Sequence, residues 1–194
     1  MTITVEHLKA IAGVETKLMP AIAEWINKIC PTYDIDTAQE YAHFLAQACH
    51  ESDHFRVTEE YASGKAYEGR ADLGNTQAGD GVRFKGRGIF QTTGRANYLQ
   101  LGIKKGDANL FINSPELLEQ PEYAVWSACE YWKTRGLNDI ANHADTDKLN
   151  KKYKGKIIQV SPVEYISLRI NGGYNGMEDR KKFYERAKAA LTIE

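Results

Sequence analysis

Thr37-Ala38-Gln39-Glu40-Tyr41-Ala42-His43-Phe44-Leu45-Ala46-Gln47-Ala48-Cys49-His50-Glu51-Ser52 carries the pattern that decides the fold. Thr37 with Glu40 three positions later is a capping box, so a helix starts here. Tyr41, Phe44, Leu45 and Ala48 then recur at i, i+3, i+4 and i+7, one apolar stripe. At about 100° per residue, Glu51 falls almost directly below Phe44 on that stripe. An apolar face therefore ends in a carboxylate. Burial there favours the neutral acid, the form that can donate a proton.

On either side the chain is mainly helical. Pro20 can open a helix with Ile22, Trp25, Ile26 and Ile29 on one face, stopped by Pro31. Helices are expected again after Ser114-Pro115 and from Pro121 through Trp132, with Gly136 as the stop. Ser161-Pro162-Val163-Glu164 is a second capping box, whose helix ends at Asn171-Gly172-Gly173. A last helix is expected from about Met177 to Leu191.

Between Tyr61 and Gly94 the periodicity disappears, and glycines recur at 64, 69, 74, 79, 81, 86, 88 and 94. Alternation in Val82-Arg83-Phe84 and Ile89-Phe90-Gln91 predicts a long loop running into a short, twisted hairpin or small sheet. Loops this long in a compact domain are commonly functional. The basic stretch Lys148 to Lys156 reads as a solvated connector. Its lysines could also contact an anionic polymer.

The 194 residues suit one domain, and no repeat or low-complexity linker divides them, so 1–194 is expected to be a single catalytic domain without a separate wall-binding module. A net charge of −1, from 25 Lys+Arg against 26 Asp+Glu, gives no electrostatic case for a nucleic-acid partner. No apolar run is long enough for stable membrane insertion, and no export signal is readable at Met1-Thr2-Ile3-Thr4-Val5. Cys30, Cys49 and Cys129 fit neither a disulfide framework nor a metal knuckle, so buried reduced thiols are expected. His7, His43 and His143 stand alone and read as surface or packing residues, and Trp126 and Trp132 as core.

Two chemistries compete for the end of the capped helix. His50-Glu51-Ser52-Asp53-His54 spells H-E-x-x-H, in which two histidines on one helical face bind zinc and the glutamate activates water. A third ligand is missing, because the extended pattern would need Gly and His where this chain has Val57 and Glu60. The other chemistry pairs Glu51 with Glu60 on the loop that follows, facing a polar lining of Gln, Thr and Asn. Two carboxylates on different elements are what hydrolysis of a glycosidic bond requires. Glu59 and Glu68 are alternative bases.

His50-Glu51-Ser52, Glu60, Tyr61-Ala62-Ser63-Gly64, Tyr67-Glu68-Gly69-Arg70, Leu73-Gly74-Asn75, Gly79-Asp80-Gly81, the run from Lys85 to Tyr98, and Arg169-Ile170-Asn171-Gly172-Gly173-Tyr174-Asn175-Gly176 with Asp179-Arg180 together resemble the family 19 glycoside hydrolases. That family contains chitinases and lysozyme-like phage endolysins. The resemblance runs from about Ala38 to Leu191 in the family's order. It implies a mainly α, lysozyme-like bilobed fold with a small β-hairpin or sheet, a glycine-rich loop beside the cleft, and an inverting mechanism without cofactor or metal. It makes Glu51 the general acid, Glu60 the general base and Thr93 the hydroxyl that holds the attacking water. It places His50, Gln91, Asn97, Tyr98 and Asn171 along the sugar-binding cleft, with Arg87 either structural or in contact with substrate. Asp53-His54 departs from the small glycines usual after the His-Glu pair.

The expected function is a muramidase-type endolysin of a phage or prophage, cleaving the β-1,4 bond between N-acetylmuramic acid and N-acetylglucosamine in peptidoglycan. An endochitinase acting on a chitin-type glycan is the alternative. The chain is expected to act as a monomer, made in the bacterial host cytoplasm and reaching the wall from the periplasm after release.

Overall fold

The structure, a computed structural model, describes residues 1–193. In chain order the elements are α1 (Val5–Ala12), α2 (Met19–Ile29), α3 (Ala38–Glu51), α4 (Asp80–Arg83), α5 (Arg95–Lys104), α6 (Leu110–Asn113), α7 (Pro121–Thr134), α8 (Leu137–Ala141), β1 (Leu149–Tyr153), β2 (Lys156–Val160), α9 (Pro162–Asn171) and α10 (Met177–Ala190). Short 3-10 turns cover Cys30–Tyr33, Lys65–Tyr67, Ala71–Leu73 and Pro115–Glu119. Among the described residues, no helix is long and apolar enough to cross a membrane.

The helix that opened the sequence reading is the centre of the molecule. Thr37 and Glu40 close the capping box at its start, the hydroxyl accepting from the Glu40 N–H at 3.2 Å and the carboxylate from the Thr37 N–H at 3.0 Å. Every residue from Glu40 to Cys49 is buried, not one stripe only. The small residues Ala42, Ala46, Ala48 and Cys49 let neighbours close in on the remaining faces, which a stripe-counting reading does not see. α10 lies along α3, stacking Tyr184 on His43 with ring centroids 4.1 Å apart.

Side-chain packing divides into two main clusters. The larger gathers Leu8, Ile22, Phe44, Leu45, Trp132, Ile166 and Phe183 from α1, α2, α3, α7, α9 and α10. The second gathers Phe84, Tyr98, Leu101, Phe111, Leu118 and Trp126. Helix α7 serves both, giving Val125, Cys129 and Trp132 to the first and Trp126 to the second. Both tryptophans are core, as expected. This is the bilobed helical arrangement, with α7 as the shared wall.

The sheet is not where the alternation pointed. In the glycine-rich segment only isolated bridges join Glu59 to Arg87 and Arg87 to Thr92. Residues 80–83 form the single turn α4 instead, and Gly88 (φ 81°), Gln91 (φ 51°) and Gly94 (φ 92°) interrupt any extended run. The antiparallel pair is β1–β2, in the lysine-rich stretch expected to be a connector, with Leu149 opposite Val160 and Tyr153 opposite Lys156. Lys154 (φ 46°) and Gly155 (φ 80°) form the two-residue turn, the left-handed pair a tight hairpin needs. Helices α1 and α5 were not anticipated; α5 buries only Tyr98, Leu101 and Gly102, too sparse a pattern to announce a helix.

Candidate active site

Glu51 is the last residue of α3, and its surroundings differ from the apolar pocket expected of it. Its side chain keeps 21% of its surface, and its Oε1 accepts from the guanidinium of Arg180 on α10. Arg180 is 2% exposed and also donates to Gln47 Oε1 at 2.5 Å, one turn back on α3. Gln47 in turn donates to Ser167 of α9 at 3.0 Å. The carboxylate is thus aimed by a buried arginine bridging two helices. Among the described residues Oε2 has no hydrogen-bonding partner, so one oxygen is free to face a substrate.

Glu60 is held by backbone and a phenol. Its Oε1 accepts from the Gly86 N–H at 2.6 Å and its Oε2 from the Tyr67 hydroxyl at 3.0 Å, while its own N–H donates to the Gly86 carbonyl at 2.9 Å. Gly86 is required by this close approach. A Cβ there would lie 2.8 Å from Gln91 Oε1 and 3.3 Å from Glu60 Cδ. The loop that carries Tyr67 is tied by Asn75, fully buried, which donates to the Tyr67 carbonyl at 2.9 Å and accepts from the Arg95 N–H at 2.8 Å. Asp80, 1% exposed, receives two further bonds from the Arg95 guanidinium, which hold its carboxyl below the usual range. Glu68 accepts from the N–H groups of Gly79 and Gly81. A glycine-rich segment of weak periodicity is therefore a rigidly bonded loop.

A cleft of about 430 Å³ opens between the lobes, lined by Leu73, Phe90, Gln91, Thr93, Asn97 and, from the α7 side, Tyr131. Neither glutamate belongs to that lining, but lining residues adjoin Glu60 and come within reach of the charge of Glu51. Gln91 is the side chain packed on Gly86 and Glu60, and the Tyr131 phenol, pushed up by burial, also feels the charge of Glu51. Phe90 packs on both Phe44 of α3 and Tyr131, with centroids 5.6 and 5.5 Å apart, joining the loop to the helix that bears Glu51.

The other anticipated residues separate into two groups. Thr93 donates its hydroxyl to the Gln91 carbonyl at 2.9 Å, and Asn97 donates to the Thr93 carbonyl at 2.7 Å, so Gln91, Thr93 and Asn97 form one connected wall. Gln91 Oε1 is buried near Gly86 and Glu60 and accepts no hydrogen bond among the described residues. His50, its proton affinity lowered by burial and by Arg180, packs against Gly176, where a Cβ would come within 2.2 Å of the ring. Asn171 is exposed and donates to the carbonyls of Gly173 and Asn175, shaping the loop between α9 and α10. Tyr98 corrects the sequence reading. It is fully buried in the second cluster, donating to the Lys85 carbonyl at 2.6 Å and receiving from Arg87, so it props the loop from behind and presents nothing to the cleft. Arg87, 8% exposed, is structural, spanning Glu59, Glu119, the Arg83 carbonyl and Tyr98. Glu59 is committed to Lys85 and Arg87, and Glu68 to its glycine amides, so neither alternative base is available.

The H-E-x-x-H spelling does not produce a metal-binding face. α3 ends at Glu51, and Asp53, His54 and Phe55 have φ of 47°, 64° and 59°. Three left-handed residues in a row take His54 off the helical register that would set it beside His50. Its Nδ1 lies 3.1 Å from Asp53 Oδ1, and its ring packs edge-on against Phe183. Among the described residues, no three His, Cys, Asp or Glu side chains are grouped to hold a metal ion.

Sequence reasoning missed Arg180, Tyr67 and Gly86 as the groups that aim the glutamates. Asp179-Arg180 and Tyr67-Glu68-Gly69 were visible as part of the resemblance, but nothing in linear spacing tells which side chain an arginine far down the chain will meet.

The chain matches no family model. Over 125 residues it is 28% identical to a glycosyl hydrolase family 19 domain-containing protein of Haemophilus influenzae, a match covering 64% of this chain and 51% of that one. It therefore spans about half the length of the curated relative it matches. The chain is related to the family 19 glycoside hydrolases. Chitinase C from Streptomyces griseus superposes with a TM-score of 0.65 at 16% identity, covering 98% of this chain and 77% of that one. A bacterial family 19 chitinase superposes at 0.63 with 17% identity, covering 100% and 97%. At such identities the likeness speaks for the fold, which is the lysozyme-like helical one the sequence led us to expect.

Proposed function

We propose that this relative of the family 19 glycoside hydrolases cleaves β-1,4 bonds in a polymer containing N-acetylglucosamine, with Glu51 as general acid and Glu60 as general base of an inverting displacement. What carries the reading is the pair of glutamates beside one cleft, whose loop wall presents Gln91, Thr93 and Asn97. Arg180 holds one oxygen of Glu51 and leaves the other free, while Gly86 and Tyr67 orient Glu60 as an acceptor. Glu51 gives its proton to the glycosidic oxygen as the bond to the anomeric carbon breaks. Glu60 takes a proton from the water that attacks that carbon from the opposite face, with Thr93 on the cleft wall to hold that water. The product has the configuration opposite to that of the substrate bond, Glu60 releases its proton to solvent, and solvent returns a proton to Glu51.

Peptidoglycan is the substrate we favour, in a muramidase-type lysis enzyme that is made in the host cytoplasm and meets the wall after release. The support is local charge beside the cleft, developed below, together with three buried, unpaired thiols of the kind a reducing cytoplasm preserves. Chitin is the second reading, supported by the names of the solved structures this chain resembles. Parallel digestion of purified sacculi and soluble chito-oligosaccharides, with mass spectrometry of the new reducing ends, separates the two. N-acetylmuramic acid ends are expected, and products from chito-oligosaccharides alone would transfer the assignment to chitin. NMR of the first-formed product should show the α-anomer; a β-anomer would overturn the inverting mechanism.

A further inference from the structure

The α7 side of the cleft gathers positive charge that no salt bridge engages among the described residues. Arg135, just beyond α7, lies over the Tyr131 ring with its guanidinium carbon 3.4 Å from the centroid, and both residues line the cleft. The Tyr131 hydroxyl reaches across to the Ile170 carbonyl at 3.2 Å, next in sequence to the exposed Arg169. Tyr131 feels the charges of Arg135, Glu51 and Arg169, and its ring and hydroxyl join the Arg135 end of α7 to the end of α9 that bears Arg169. Lys151, 9% exposed, holds its ammonium over the Tyr165 ring at 4.5 Å and feels the charge of Arg169. Burial and the charge of Arg169 hold that ammonium below its usual range.

None of Arg135, Arg169 and Lys151 has a carboxylate within 4.0 Å among the described residues. The neighbouring acid on the same wall, Glu130, is already engaged by Lys104 and by the Tyr33 hydroxyl. In a chain of net charge −1 with many paired surface charges, this gathering is local. A neutral polymer of N-acetylglucosamine offers it nothing. A guanidinium is suited to a planar carboxylate, which it can meet with two parallel hydrogen bonds.

We propose that Arg135 and Arg169 read carboxylates on substituents of the glycan, with Lys151 reinforcing the potential, so that the cleft prefers an amino-sugar polymer bearing acidic side groups over the same polymer without them. This rests on the hydrolase reading of the cleft and specifies its substrate class. The carboxylates of peptide stems in peptidoglycan meet the requirement.

The test compares soluble peptidoglycan fragments with the same fragments after their carboxyl groups have been amidated. The unmodified enzyme should lose about tenfold in kcat/KM on the amidated substrate, mainly through KM, as expected for one or two charge-assisted bonds. The Arg135→Gln, Arg169→Gln double variant should lose that preference, and the double lysine variant should keep part of it. Equal rates of the unmodified enzyme on both substrates would overturn the proposal, and so would a folded glutamine variant that still discriminates. The unmodified enzyme's own comparison decides even if that variant fails to fold. Brisk cleavage without discrimination would sink this inference alone. Cleavage of chito-oligosaccharides with no attack on either fragment would sink the peptidoglycan reading with it.

Discussion

The two glutamates are held by opposite kinds of structure. Glu51 closes a helix buried on all sides, and its partner Arg180 is a buried ion reaching from another helix. Glu60 sits on a loop whose order comes from backbone amides, glycine geometry and one phenol, and among the described residues no charged group meets its carboxylate. The first carboxylate is bound up with global stability. The second is bound up with the local shape of a loop. Changes of equal size on the two sides should therefore fail differently, one in folding and the other in rate.

The largest effect is expected at the acid. Glu51→Gln should lower kcat by on the order of 10³, the share of a positioned proton donor. The amide oxygen can still accept from Arg180, but the guanidinium loses its counter-charge, so stability should also fall, by about 1–3 kcal/mol. Glu60→Gln should be comparably inactive yet melt within error of the parent, because its partners are neutral donors. Matched turbidity assays on permeabilised cells and thermal melts of both variants make the check. A Glu51→Gln protein with more than a few per cent activity would remove Glu51 from the role of acid. Equal stability losses would erase the contrast between the two settings.

The glycines extend the contrast with smaller effects. In Gly86→Ala the new methyl meets Gln91 Oε1 and Glu60 Cδ, both on the loop. Displacing a base by a fraction of an ångström should cost about tenfold in kcat with little change in melting. In Gly176→Ala the methyl is driven into the His50 ring at 2.2 Å from a residue at φ 69°, where α10 begins against the end of α3. That strain belongs to the helical core and should cost about 2 kcal/mol of stability. If Gly86→Ala lowered stability as much as Gly176→Ala, the loop would have to be counted part of the cooperative core.

The same division governs what was legible in the sequence. The capped helix, the Pro20 helix, the Ser161 box and the terminal helix were all readable, because capping residues and apolar periodicity are local. That α3 is buried all round was not, since alanine and cysteine are silent about what covers them. The hairpin was placed on the wrong segment. Val82-Arg83-Phe84 alternates but lies largely in a helical turn, whereas the Lys154-Gly155 turn hid inside a run of lysines. Glu51 and Glu60 stood out as residues, but the groups that aim them did not. Arg180 meets Glu51 only through the packing of α10 on α3, and Gly86 meets Glu60 only after the loop has folded back. Tyr98 shows the reverse error, since a position in a recognisable motif does not say on which side of the loop the ring lies.

The effect that is smallest at neutral pH lies eight residues before Glu51, at His43 on α3. The ring is fully buried against Tyr184, and among the described residues neither of its nitrogens has a hydrogen-bonding partner. Burial pulls its pKa down to about 3, with Asp145 opposing and Lys188 assisting. Unfolded, a histidine titrates near 6.5. Between those two values the unfolded chain binds a proton that the folded protein refuses. The stabilising contribution is therefore complete above about pH 6.5 and is lost as pH falls toward 3, by up to about 5 kcal/mol at the low end. The Arg180–Glu51 pair shares the α3–α10 contact with this ring, so acid should loosen the helical half before the loop half. His43→Phe keeps a flat ring against Tyr184 and removes two unsatisfied buried polar atoms. Near neutral pH it should be level with the parent or more stable by about 1 kcal/mol. Below pH 5 it should be clearly more stable, with a shallower fall in urea midpoint as pH drops. Parallel urea melts from pH 7 to pH 4 measure the slope. Identical slopes would mean that the acid sensitivity of the helical half arises elsewhere, and a steeper slope in the phenylalanine variant would reverse the sign of the argument.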